Sequence, residues 1–215
     1  MVTPVVRARE VVKTFRRGRE TVRALRGADL TVGAGQVVGV AGASGSGKST
    51  LLAVLCGWEH PDSGSVEVAG SEAPLGLPWA ALSVLPQTLG LLDDLPAREN
   101  VLLPARLAGE QARYEARADE LLGTVGADHL AHRYADQMSL GEQQRVAVAR
   151  TLLLRPALVL ADEPTAHQDA HNAGIVLDLL REHAAAGGAC VLVSHHRQAL
   201  ESADTVLHMA DGVLT

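Results

Sequence analysis

Strand and helix signals alternate along most of the chain, a pattern that points to βα units and a mainly parallel sheet. The opening differs. Residues 5–12 and about 22–31 read as strands joined by a polar turn around Arg17 and Gly18, hence an antiparallel piece. The apolar run from Gln36 to Ala41 leads into a Gly-rich loop and then a helix from near Lys48 to Gly57, with the glycine as its C-cap. Pro61-Asp62-Ser63-Gly64 is a turn signal ahead of a strand at Val66 to Ala69, and a short strand near Ser83 to Leu85 leads to Gln87. From about 96 to 154 no strand-like run occurs. This stretch predicts helices around 97–108, 111–124 and 142–154. Apolar, β-branched-rich strands follow at Ala157 to Ala161 and Ala189 to Ser194, flanking a helix at about 169–186. The expected fold class is α/β: a mainly parallel core sheet with an N-terminal antiparallel β piece and an inserted helical lobe. Residues 1–215 read as one domain, with 1–87 and 151–215 as core and 88–150 as lobe.

Composition narrows the partners. Hydrophobic residues make up 47% and aromatics only 2%, so the interior must be Val, Leu and Ala, as suits buried parallel strands. There are 19 basic and 25 acidic residues, a net charge of −6. An acidic chain with no long basic run argues against a nucleic-acid platform. Arg16, Arg17 and Arg19 form a short basic cluster that reads as a solvated loop. Cys56 and Cys190 lack CxxC spacing and sit in apolar runs, so they read as small buried hydrophobes. His167 and His171 stand at i, i+4, but nothing supplies a third metal ligand; these two, with His129 and His132, are expected at the surface. No leader peptide and no window of about 18–20 apolar residues is visible. A soluble intracellular protein is expected, reaching any membrane through a partner.

Residues 42–50 read GASGSGKST, a full match to the phosphate-loop pattern G-x-x-x-x-G-K-[ST]. Gly42, Gly45 and Gly47 let the backbone turn its N–H groups onto phosphate oxygens, with Ala43, Ser44, Ser46 and Thr50 completing the loop. Lys48 supplies a point charge for the β- and γ-phosphates. Ser49 offers a hydroxyl to Mg²⁺, and the following helix turns its positive end toward the anion. A strand before the loop and a helix after it give the context this chemistry needs. A flexible Gly/Ser surface loop would not require Lys and Ser at these positions.

Residues 158–163 read LVLADE. An apolar strand ending in Asp162 carries its carboxylate to Mg²⁺ at the C-terminal edge of the sheet. Glu163 points differently and can hold an attacking water. Phosphoryl transfer asks mainly for positioning, charge stabilisation and one group to orient the nucleophile. An acidic N-cap for the next helix is the plain alternative; the phosphate loop in the same chain tips the balance.

The segment MSLGEQQRVAVAR, residues 138–150, narrows the choice. It resembles the signature of ATP-binding cassette (ABC) ATPases, L-S-G-G-Q followed by a Gln-rich, Arg-containing helix. Ser139, Gly141, Glu142, Gln143, Gln144 and Arg145 fit, Met138 replaces the leading Leu, and Leu140 stands where the family has its first Gly. The rest of the chain follows the same order. Gln87 is similar to the Q-loop glutamine that reaches Mg²⁺ and the attacking water. His195 is similar to the switch histidine at the γ-phosphate; it is favoured over His196 because it follows directly on Ser194. Asp169 looks like the D-loop aspartate, although Gln168 occupies a usually apolar position. Phe15 looks like the aromatic that stacks on adenine. VRALRGADLTV and ARENVLLPARLAG resemble the lipoprotein-release and macrolide-export branch, close to the cell-division ATPase.

The resemblance implies a P-loop ATPase using ATP and Mg²⁺, with Glu163, His195 and Gln87 catalytic, and Ser49, Gln87 and Asp162 around the metal. Nucleotide would contact Phe15, residues 42–50, and Ser139, Gly141, Glu142 and Asp169 across a head-to-tail homodimer. It further implies a separate transmembrane permease as partner, hence a cytoplasmic protein held at the inner face of the cell membrane, with no nucleic acid. The alternative is an ATP-gated regulator of a membrane-bound cell-wall or division complex without transport. Leu140 is expected to occupy a position suited to positive φ, where a side chain costs roughly 1–2 kcal/mol and would weaken dimer closure.

Overall fold

The computed structural model describes residues 4–18 and 20–215. Strands β1 (Pro4–Arg17) and β2 (Glu20–Gly33) form the expected antiparallel pair, and β4 (Ser63–Val68) joins them on the other side of β1. This three-stranded sheet has the order β2-β1-β4. Arg19 lies outside the described residues, while Arg16 is exposed at the end of β1.

The second sheet has six strands in the order β5-β6-β7-β3-β8-β9: β5 (Leu82–Leu85), β6 (Leu158–Asp162), β7 (Ala189–Val193), β3 (Val37–Ala41), β8 (Thr205–Ala210) and β9 (Val213–Leu214). Its pairings are parallel except for the closing β8–β9 hairpin. Helices α1 (Lys48–Leu55), α5 (Ala170–Ala185) and α6 (Arg197–Glu201) link core strands. Helices α2 (Ala97–Leu107), α3 (Gln111–Thr124) and α4 (Leu140–Leu152) form the lobe between β5 and β6.

Strand alternation explains why one sheet serves two cores. In β6, Leu158 and Leu160 face a core shared with the antiparallel sheet and α1, where they meet Val6, Leu25, Leu51 and Leu55. Their neighbours Val159 and Ala161 face a second core, which continues without a break through Leu85 into Val101, Leu102, Leu122 and Val146 of the lobe. Val191 and Cys190 of β7 divide in the same way. Both faces are covered, so β6 and β7 read as continuous apolar runs rather than alternating ones. Both cysteines are free and buried as expected, and burial pushes the Cys190 thiol up to about 12. His129, His132, His167 and His171 are all exposed.

Candidate active site

The carboxyl ends of β3, β6 and β7 converge on one cavity of about 1150 Å³. Its wall carries the phosphate loop, Gln87, Asp162, Glu163 and His195, and one side is closed by Phe15, Thr21 and Val22 of the antiparallel pair. Gly45 and Gly47 have φ of 79° and 114°, a region that favours glycine. A Cβ at Gly47 would collide with the Ala24 carbonyl oxygen, so this glycine is also required by close approach. Gly47 caps α1 without a side chain, leaving the amide-rich start of the helix at the cavity. Lys48 is buried and donates to the carbonyls of Gly42 (2.8 Å) and Ala43 (2.9 Å), which fixes its ammonium over the loop. Among the predicted loop contacts only Ser46 does not line the cavity; it is packed beneath the loop.

Ser49 neighbours the Asp162 carboxylate, which burial drives above the usual carboxylate range. Glu163 is held on three sides. Ser194 Oγ donates to its Oε2 (2.8 Å), the His195 backbone N–H donates to Oε1 (3.1 Å), and His195 Nδ1 lies 2.6 Å from Oε1. Glu163 also has φ of 50°, an uncommon value for a side-chain-bearing residue, kept by its own N–H donating to the Val193 carbonyl at 2.9 Å. A strained, buried carboxylate fixed beside a cavity is suited to orienting a small polar molecule.

Ser139, Gly141, Glu142 and Asp169 are not brought to this cavity. They gather elsewhere, at the start of α4 and α5. Ser139 is the N-cap of α4, paired with Glu142 in a capping box: its Oγ accepts from the Glu142 N–H (3.3 Å) and donates to Glu142 Oε2 (2.8 Å). Asp169 caps α5 by accepting from the Asn172 N–H at 2.8 Å. Leu140 requires a correction. It is the first residue of α4, has no positive φ, and its side chain is 55% exposed, so the expected backbone strain is not there. The close approach belongs to Gly141 instead, where a Cβ would lie 2.7 Å from the His167 carbonyl oxygen.

Several residues carry more than the sequence reading gave them. Gln168 donates from Nε2 to the Gly141 carbonyl (2.7 Å) and accepts from Arg145 (3.2 Å), which is why a polar side chain is accommodated there. Buried Gln144 donates to the Pro164 carbonyl at 3.0 Å. At the other end of α4, buried Arg150 donates to the Leu89 and Gly90 carbonyls, and desolvation brings its pKa down to about 10. Helix α4 is thereby tied at its start to the segment after Glu163 and at its end to the segment after Gln87. Only the buried side of a helical period signals such residues in sequence, and it does not say what they bind.

A phosphate loop feeding a helix at the carboxyl edge of a parallel sheet, with an acidic pair at the end of a neighbouring strand, defines a P-loop nucleotide-binding cassette. The family profile described as "ABC transporter" matches residues 25–166. The chain is 42% identical to the lipoprotein-releasing system ATP-binding protein LolD of Novosphingobium aromaticivorans, with 100% of both chains covered. It is 36% identical over 98% of its length to the macrolide export ATP-binding/permease protein MacB of Azoarcus sp., and spans only 33% of that larger protein. Among solved structures, a dimeric ATP-binding cassette in a post-hydrolysis state bound to ADP and Pi matches with a TM-score of 0.88 and 28% identity, covering 97% of this chain and 96% of the other. The chain belongs to the ABC transporter family, as an ATP-hydrolysing cassette of the α/β class predicted from its sequence.

Proposed function

We propose that this cassette dimerises on ATP and, through closure and reopening, drives a separate membrane permease in export or extraction. The observation that carries the hydrolytic part is the triple hold on Glu163 beside Ser49, Asp162 and Lys48. Phe15 and Val22 line the cavity, where Phe15 would stack on adenine while the loop amides with Lys48 would receive the phosphates. Ser49, Asp162 and Gln87 line the same cavity and present oxygen donors of the kind Mg²⁺ prefers, with Ser49 beside Asp162, so they would hold the ion. When bound, Mg²⁺ neutralises charge on the β- and γ-phosphates. Glu163 orients the attacking water and accepts its proton, and His195 donates to the γ-phosphate. In-line attack then releases phosphate and leaves ADP.

The signature group lies apart from its own chain's cavity, which supports its use on the nucleotide of a second copy, as does the dimeric state of the similar cassette. In that arrangement Ser139, Gly141, Glu142 and Asp169 complete the partner's site, and ATP favours closure because it binds the closed dimer more tightly. We take residues 88–150 as the lobe that meets the permease, with Arg150 carrying movement of the Gln87 segment into α4. Among the described residues no helix is long and apolar enough to cross a membrane, so attachment at the inner face would come through the permease. The similarity to LolD and MacB supports transport over a regulatory role at a cell-wall or division complex. Lys48→Ala tests the site itself: ATP binding should weaken and hydrolysis disappear, whereas an unchanged turnover rate removes the phosphate loop from the mechanism.

A further inference from the structure

The histidine next to His195, His196, does not line the nucleotide cavity. His196 is exposed, and among the described residues its ring nitrogens make no hydrogen bond. Its ring sits against His195, with centroids 4.1 Å apart. Glu163, His195 and His196 each offer one ligand atom, and these atoms all lie within 4.8 Å of one another. No other group of His, Cys, Asp or Glu among the described residues meets that condition.

We infer that Glu163, His195 and His196 form a site for a divalent transition ion of the zinc type, and that its occupation switches the cassette off. Two imidazoles and one carboxylate are a donor set that suits Zn²⁺ with water in the fourth position; the nitrogen donors disfavour Mg²⁺ and Ca²⁺. In a tetrahedral site with bonds near 2.0–2.1 Å the ligand atoms stand about 3.3 Å apart. Reaching that spacing would open the 2.6 Å contact between His195 Nδ1 and Glu163 Oε1 and draw the third ligand atom in from within 4.8 Å, by turns of the two exposed rings.

The support behind the ligands is already built. Ser194, fully buried, donates its hydroxyl to Glu163 Oε2 (2.8 Å) and accepts from the His196 backbone N–H (3.0 Å). One hydroxyl therefore orients the carboxylate and fixes the backbone of the second imidazole, the kind of outer contact that sets ligand direction in metal sites. A bound ion would take the carboxylate that orients water and the imidazole that meets the γ-phosphate. It would hold the open, nucleotide-free cassette. The inhibitory consequence rests on the hydrolytic reading above, but the binding does not.

The test separates the two. Zinc chloride is titrated into the nucleotide-free protein by calorimetry, and Co²⁺ is added in parallel to read its visible absorption. The wild type should take up one equivalent per chain and give the strong absorption of a four-coordinate cobalt site. His196→Ala should weaken uptake at least about tenfold and lose that absorption, while hydrolysing MgATP at the wild-type rate. In excess Mg²⁺, the zinc concentration that half-saturates the wild type should also half-inhibit it, and His196→Ala should resist. A chain that binds zinc at this site but hydrolyses no ATP supports the site and contradicts the hydrolytic reading instead. Unchanged zinc uptake by His196→Ala, or loss of uptake in His167→Ala/His171→Ala with His196 intact, overturns the proposal. Equal inhibition of wild type and His196→Ala overturns the switch.

Discussion

Ser194→Ala isolates the positioning of Glu163 from the binding of nucleotide. Ser194 is fully buried, donates to the carboxylate and does not line the nucleotide cavity. Its removal deletes the 2.8 Å hydrogen bond to Oε2 and leaves Oε1 with the His195 N–H and ring. A hydrogen bond to a charged group contributes about 1.5–3 kcal/mol, and each 1.36 kcal/mol is about tenfold in rate. If the whole contribution is felt in the transition state, kcat falls by about 10- to 150-fold. Because two contacts survive, the expected loss lies toward the lower end, about 10- to 50-fold. Lys48 and the loop glycines are untouched, so KM for ATP should stay within about twofold. Steady-state hydrolysis with ATP varied gives both constants, and a thermal melt confirms that the chain is folded. A kcat within about twofold of wild type would refute the clamp. So would a fall in kcat matched by a rise in KM, since the hydroxyl would then be serving binding.

Asp162→Asn should abolish Mg²⁺-dependent hydrolysis yet raise the melting temperature of the nucleotide-free protein. Burial raises the Asp162 pKa, so the folded state holds that proton more tightly than the unfolded one, and the carboxylate's contribution to apo stability falls as pH rises from the ordinary Asp range through the folded pKa. The gain from Asn should therefore be present at neutral pH and vanish in acid; a lower melting temperature at pH 7 contradicts this. Leu140→Gly should leave ATP-dependent dimerisation no tighter than wild type, because Leu140 is an unstrained helical residue. A tenfold tighter dimer would show that its exposed side chain obstructs closure.

The parts of this molecule written in local chemistry were legible. The phosphate loop, the acidic pair and the strand–helix alternation each depend on neighbours in sequence, and β2, β3, α1, α5 and β7 lie where their patterns place them, whereas β1 runs past the expected end at residue 12 to Arg17. Strand β4 begins at Ser63, three residues before the apolar run, because Ser63 pairs through its backbone with Val12 and needs no apolar side chain to do so. Strand β8 lies beside β3 inside the sheet but exposes most of its residues, so its pattern carries little apolar signal. The same distinction divides the site. The motifs of Glu163 and His195 bring both to the cavity wall, whereas the hold of Ser194 on Glu163 and of Arg150 on the Gln87 segment are contacts between distant segments. The Leu140 expectation fails because a glycine missing from a motif does not by itself mark a strained position. The N-cap geometry of Ser139 places Leu140 in an ordinary helical turn, and the tight contact falls on Gly141.

The central claim is that Glu163 directs hydrolysis within an ATP-bound dimer. Its most direct measurement is the mass of Glu163→Gln by light scattering after size exclusion, with and without ATP. The amide keeps the shape of the side chain but cannot take a proton, and a general base is worth about 10²–10⁴ in rate. Hydrolysis should be lower by that order, with a monomer in the absence of nucleotide and a stable dimer of twice the 22.5 kDa chain mass once ATP is added. A Glu163→Gln variant that turns over ATP at the wild-type rate, or that binds ATP and stays monomeric, would contradict the claim.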